Sequence, residues 1–270
     1  MEVTMATPIR ISLLAILVCL IFVFSINAQE RQGKYMHVDY LKIENNTEEE
    51  FLRHVSSTFL SIQELRKENN NIENWYVYRV TYPGTQNSFY NYVVITISDC
   101  ISGFEDVPDQ YLQNLSQREG QRITGNYKKF LTPNHSELWR IRNSVLADDQ
   151  FYPSRYIVMN YMNVGLGYEY EYQMFEDEIA RPLHEVRMER DQMKGWELHE
   201  LILPGGLNYG YNFSTLDYFE NLKDIEFGFT DELIRNTHPD TNINEFFNNI
   251  YRTRDLVKSE LWELVEALKK

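Results

Sequence analysis

The chain contains a second copy of itself. Trp75 recurs as Trp196, and at the same offset of 121 residues Pro83/Pro204, Gly84/Gly205, Asn87/Asn208, Tyr90/Tyr211 and Asn91/Asn212 also match. That is six identities in the 18 positions from 75 to 92, where unrelated sequences would share about one. The register extends to Tyr35/Tyr156, Tyr40/Tyr161, Glu50/Glu171 and Arg66/Arg187. Near the end of each half Ser136-Glu137-Leu138-Trp139 returns as Ser259-Glu260-Leu261-Trp262, at an offset of 123 that a two-residue insertion explains. Self-similarity of this kind marks one structural unit used twice, here residues 33–149 and 150–270.

Each half repeats one order of elements. Tyr35 to Leu41 and Tyr156 to Met162 are aromatic and β-branched runs of strand length. A helical pattern follows each, with Phe51, Val55, Phe59 and Ile62 on one face in the first half and Phe175, Ile179, Leu183 and Val186 in the second. Asn46-Thr47-Glu48-Glu49-Glu50 supplies cap and first-turn acids to the first of these. Strands are next expected at Trp75 to Tyr82 and Trp196 to Leu203, closed by Pro-Gly turns, and then at Phe89 to Ser98 and Tyr211 to Tyr218. A helix-rich segment is expected to end each half, the last with Leu261, Leu264, Val265 and Leu268 on a common side.

Strand, helix, strand, strand and terminal helix fit a split βαβ, ferredoxin-like unit with helices on one face of its sheet. The other face is apolar and needs a cover, which a second copy provides. In this element order, duplication and length the chain resembles the dimeric α/β-barrel superfamily, and within it NIPSNAP-type and antibiotic-biosynthesis-monooxygenase-like proteins. The resemblance implies an α+β fold of two tandem ferredoxin-like repeats packed sheet to sheet, a fused dimeric α/β barrel, and a monomeric chain.

The first 28 residues read as a targeting segment. Arg10 precedes the apolar run Ile11 to Phe24, and Ser25-Ile26-Asn27-Ala28 leads into polar Gln29-Glu30-Arg31-Gln32, the layout of a secretory signal peptide cleaved after Ala28. A span of that length is barely enough to cross a bilayer, so a membrane anchor is the rival reading. The expected location is secreted or periplasmic, with no membrane association after cleavage. Cys100 is then the sole cysteine of the mature chain, which excludes an internal disulfide, and it reads as a small apolar filler at a strand end. The net charge of −14 and the lack of any Lys/Arg-rich run exclude nucleic acid as a partner. Asn45, Asn114, Asn134 and Asn212 begin Asn-x-Ser/Thr sequons.

The familiar chemical signatures are missing. No histidine pair has HxxxH or HxH spacing, one mature cysteine cannot build a metal site, and there is neither a phosphate-binding glycine loop nor a Gly-x-Ser-x-Gly elbow. No metal and no cofactor is expected. Candidate catalytic groups come from strand alternation: His37 and Asp39 share a face of the first strand, where an oriented acid/base pair could form, and Arg79 offers an anion stabiliser. The second half has Val158 and Asn160 at the places of His37 and Asp39, so at most one pocket, in the first half, is expected to be competent for acid/base work. Candidate ligand-binding groups are His199, Glu200, Tyr78, Tyr40 and Tyr161. Because Arg79 aligns with Glu200 and Tyr78 with His199, a bridge between Arg79 and Glu200 is expected to fix the pairing of the halves. Two functions fit: a non-enzymatic exported protein that binds a small apolar or aromatic ligand, or a cofactor-independent oxygenase or isomerase on the same fold.

Overall fold

The computed structural model describes residues 33–82, 88–105, 113, 129–130, 132–147, 153–206 and 208–268. The N-terminal segment expected to direct export, the first Pro83-Gly84 turn and the Asn114 sequon lie outside the described residues. In the first half, strand β1 (Tyr35–Leu41) leads into helix α1, which runs Glu48–His54, a π-helical turn at Val55–Phe59 and Leu60–Glu68. Strands β2 (Asn74–Val80), β3 (Tyr92–Ser98) and β4 (His135–Leu146) complete it. The second half repeats this with β5 (Tyr156–Val164), then α2 as Glu169–Phe175, a π turn at Glu176–Ala180 and Arg181–Glu189, then β6 (Gly195–Leu203) and β7 (Phe213–Phe219). Helices α3 (Asp231–Thr237) and α4 (Ile243–Thr253) precede the last strand, β8 (Arg254–Ala267).

The eight strands close into one barrel in the order β1-β3-β2-β8-β5-β7-β6-β4, with every pairing antiparallel. Each half contributes a four-stranded ferredoxin-like sheet, β4-β1-β3-β2 and β8-β5-β7-β6. The long fourth strands join them. β4 pairs with β1 through His135 to Arg140 and with β6 through Leu138 to Leu146, while β8 pairs with β5 and then with β2. Closure removes every free sheet edge, and Lys34–Lys270 form one unit.

Alternation along the strands divides the core in two. Met36, Val38 and Tyr40 of β1 and Tyr76, Tyr78 and Val80 of β2 point into the lumen, together with Trp139 and Trp262. Trp75 and Val77 point outward to meet Phe51, Val55, Phe59 and Ile62 of α1. Trp139 and Trp262 are wholly buried, and truncating either to Ala should cost about 3–5 kcal/mol.

The repeated residues have repeated tasks. In Ser-Glu-Leu-Trp the indole of Trp139 donates to Glu137 at 3.0 Å and that of Trp262 to Glu260 at 3.1 Å. Ser136 donates to Asp39 at 2.5 Å and Ser259 to Asn160 at 2.6 Å, across equivalent strand pairs. The Asn91 side chain bonds both backbone groups of Ile43, as Asn212 does with Val164. Asn70 and Asp191 end the two helices with φ of +56° and +55°, a left-handed conformation that short polar side chains tolerate.

One expectation is corrected and another refined. The final segment is strand, not helix: Trp262, Leu264 and Ala267 pack in the lumen, whereas Val265 and Leu268 pack against the outer layer. A barrel strand with apolar residues on both faces, with a register shift against β2, produces the same i, i+3, i+4 apolar spacing as a helix. The Phe175, Ile179, Leu183, Val186 stripe of α2 does fall on one face, and that face packs with α3 and α4. Of these four, only Leu183 aligns with the sheet-facing residues of α1, whose other counterparts are Tyr172, Glu176 and Ala180, all buried.

Candidate functional site

Where each helix lies over its sheet, the packing leaves a cavity. The one in the first half, about 200 Å³, is lined by His37, Asp39, Gln63, Arg66, Thr96, Trp75 and the apolar face of α1. The one in the second half, about 280 Å³, is lined at equivalent positions by Val158, Asn160, His184, Arg187, Asp217 and Trp196, with Glu176 in place of Val55. Arg254 reaches it from the start of β8, and Phe219, Phe227 and Phe229 wall it. The second half was expected to lack the acid/base pair of the first, and it does carry Val158 and Asn160 at those places, but its cavity is lined by other ionisable groups. The second cavity carries Glu176, His184, Arg187, Asp217 and Arg254, placed there by α2, β7 and β8.

Burial sets the charges of these groups. It pushes the Glu176 carboxyl up to about 7, against the pull of the Tyr172 hydroxyl and Arg254. Asp217 rises to about 6 because desolvation outweighs Arg187 and the Asn160 amide. His184 is held well below its ordinary value by burial and then by Arg187, and it stacks on Trp196 with ring centroids 5.2 Å apart. Arg187, 4% exposed, is lowered by the same desolvation, yet a guanidinium remains charged. It sits 5.9 Å from the ring centroids of Phe219 and Phe229, and its Nη1 lies 3.3 Å from His184 Nδ1. Among the described residues, Nε of Arg187, Nε of Arg254 and Oδ1 of Asp217 are buried without a hydrogen-bond partner. Two guanidinium groups thus face two carboxyls whose ionisation burial opposes. The site has an excess of positive charge against an aromatic wall.

The residues expected from the sequence fall in different places. His37 and Asp39 both line the first cavity, with Nε2 and Oδ1 3.7 Å apart, and the His37 ring lies 5.4 Å from Phe104. Arg79 lies outside that lining; it donates to the Tyr92 hydroxyl at 2.9 Å and pairs with Glu48 at 3.3 Å. Its expected bridge to Glu200 is not formed, because β2 and β6 occupy opposite arcs of the barrel. Glu200 accepts instead from Arg142 at 2.6 Å, with Arg140 at 3.9 Å. Cys100, expected as a small apolar filler at a strand end, is instead exposed, with Ser102 donating to its sulfur at 3.3 Å.

Tyr78, His199, Tyr40 and Tyr161 all face the lumen and meet neither helix-covered cavity. At one end Tyr40 and Tyr161 bond each other at 2.8 Å, and Glu137, 1% exposed, accepts from Tyr40, Tyr209, Tyr211 and Trp139. Glu260 accepts from Tyr90 and Lys258, and the Lys258 ammonium lies 4.1 Å from the Tyr161 ring centroid. Every carboxylate there has its donors, which describes a structural network rather than a vacant site. At the other end His199 lies 3.1 Å from Glu197 and 3.2 Å from Ser214.

Sequence reasoning missed Glu176, His184, Arg187, Asp217 and Arg254. A signal was present for the first: aligning the helices at the repeat offset sets Glu176 against buried Val55, and a carboxylate replacing a core valine marks a position that packing alone does not explain. No group of three or more His, Cys, Asp or Glu suited to a metal ion occurs among the described residues.

The topology defines the class of protein: a dimeric α/β barrel fused into one chain. No family model matches the chain, and no curated protein matches it. Solved structures resemble it at low identity. A candidate monooxygenase from Fusobacterium nucleatum is 8% identical over 88% of this chain and 95% of its own, with a TM-score of 0.49. A mutant chlorite dismutase from Candidatus Nitrospira defluvii is 11% identical over 87% and 92%, with a TM-score of 0.47. An anthrone oxidase-like protein is 10% identical over 88% and 93%, with a TM-score of 0.44.

Proposed function

We propose that the protein is an exported binding protein for a small, planar aromatic acid, held without catalysis in the cavity between α2 and the second-half sheet. One observation carries this reading: Arg187 is buried in an aromatic box, has no ion-pair partner within 4.0 Å among the described residues, and keeps an unused Nε donor. A buried charge without a partner is costly, and a ligand carboxylate bonded by Nε removes that cost. Trp196, Phe219 and Phe229 supply flat apolar area, and the volume suits one or two fused rings.

The test uses 1-hydroxy-2-naphthoate and its uncharged amide as probes, titrated calorimetrically against the wild type and Arg187→Gln. The carboxylate should bind at least tenfold more tightly than the amide, and the variant should lose that preference. Equal binding of the two probes by the wild type would refute the reading.

A second reading rests on Glu176. A carboxyl near 7 facing a ligand cavity is poised for proton transfer at neutral pH, the chemistry a cofactor-independent isomerase or oxygenase needs. Catalysed keto–enol exchange of phenylpyruvate, lost in Glu176→Gln, would favour it over simple binding.

A further inference from the structure

A third cavity, about 180 Å³, lies inside the barrel at the end away from the Tyr40–Tyr161 pair, and its chemistry differs from that of the cavities under the helices. Its walls are Met36, Ile95, Ile97 and Ile157 together with the rings of Tyr76, Tyr78 and Tyr218. Its inner polar groups are Glu197 and the tyrosine hydroxyls. Tyr218 donates to Glu197 Oε2 at 2.7 Å and His199 Nε2 lies 3.1 Å from the same oxygen, which leaves Oε1 without a protein donor among the described residues. Tyr78 is wholly buried, and its hydroxyl has no partner among them. At the rim Lys34 is already paired with Glu73 at 2.6 Å.

This asymmetry arises from the duplication. Tyr76 and Tyr78 of the first half align with Glu197 and His199 of the second, so the pseudo-symmetric lumen sets aromatic rings opposite a carboxylate. Aromatic faces carry a negative quadrupole and attract cations, most strongly where water is excluded. The three tyrosines stay neutral because burial raises each of them, so the lining's net charge comes from Glu197.

The geometry points to a binding site for a small organic ammonium ion in the barrel lumen, its N–H groups shared between Glu197 Oε1 and the Tyr78 hydroxyl and its alkyl or aryl body against the isoleucines. The site is independent of the cavity under α2, which favours anions.

Benzylammonium, with benzyl alcohol and phenylacetate as neutral and anionic controls, tests this by calorimetry on the full chain. Benzylammonium should bind at least tenfold more tightly than either control, and excess 1-hydroxy-2-naphthoate should not displace it. Glu197→Gln should lose tenfold or more in affinity. Tyr78→Phe removes a hydroxyl that bonds nothing among the described residues, so it should keep the wild-type thermal midpoint while binding several-fold more weakly. Binding of benzyl alcohol or phenylacetate as tight as that of benzylammonium, displacement by the naphthoate, or wild-type affinity in Tyr78→Phe would overturn the assignment.

Discussion

The hydroxyls of Tyr40 and Tyr161 meet at 2.8 Å inside the barrel, and the two residues are 121 positions apart, the same offset that relates the two repeats. Equivalent atoms touch only on a symmetry axis, so this bond marks the pseudo-twofold axis, which runs along the barrel because β1 and β5 point the same way in an alternating ring. Around it the partners come in matching pairs: Tyr90 with Tyr211, Glu137 with Glu260, Trp139 with Trp262. His135 and Lys258 break the symmetry, and Lys258 supplies a cation to Glu260.

Tyr40→Phe tests the axis. The change leaves Glu137 short of one donor in a fully buried place and deprives Tyr161 of its partner, which should destabilise the protein by about 1–3 kcal/mol in urea unfolding. Tyr161→Phe should cost less, since it leaves the Glu137 bond intact. The double variant should fall short of the sum of the two, because both remove one shared bond.

The seams between halves make a second prediction. β4 completes the sheet of β6, and β8 that of β2, so residues 33–149 produced alone would leave Trp139, Tyr40 and Tyr78 uncovered and two strand edges unpaired. That fragment should dimerise or aggregate in sedimentation analysis, while the full chain sediments as a monomer. A soluble monomeric fragment would show that lumen packing is dispensable for the repeat.

Much of this fold is legible in the sequence because its identities between halves are structural parts: Asn91 and Asn212 tie strand to loop, and Ser-Glu-Leu-Trp bonds its own indole and the neighbouring strand. Those residues cannot change in one half alone without loss. The last strand was illegible for a physical reason, since apolar residues pack on both of its faces and period two is lost. The candidate site was hard to read for the opposite reason. Glu176, His184 and Asp217 stand where the halves differ, so a search for matching residues passes over them, and Arg254 arrives from a strand remote in the chain. His37 and Asp39 were readable because both lie on one strand and need no tertiary information.

Processing of the N-terminal segment is a third prediction, resting on its basic residue, apolar run and small-residue end. N-terminal analysis of the exported protein should find Gln29, as pyroglutamate, at its start. Retention of Met1 in a membrane fraction would establish an anchor instead. In a host that glycosylates, Asn212 should stay unmodified, because its side-chain amide is committed to Val164 on both sides.

The fourth prediction concerns Glu176 and pH. Its carboxyl titrates near 7 in the folded protein, against an ordinary value of 4.5. Between those two values the folded state holds more protons than the unfolded one, so the stability this group contributes is complete below the unfolded value and is lost as pH rises through the folded one. Gln resembles the protonated acid, so Glu176→Gln should match the wild type below about pH 4 and exceed it at about pH 8, by on the order of 3 kcal/mol in urea unfolding. The same protonation couples to the ligand. Losing the Glu176 charge raises the positive excess beside Arg187, so 1-hydroxy-2-naphthoate should bind more tightly to the wild type as pH falls toward 6, and the variant should lack that part of the dependence. A variant with the wild-type pH profile for both unfolding and binding would show that Glu176 is charged in the folded protein and that the second cavity is not poised as described.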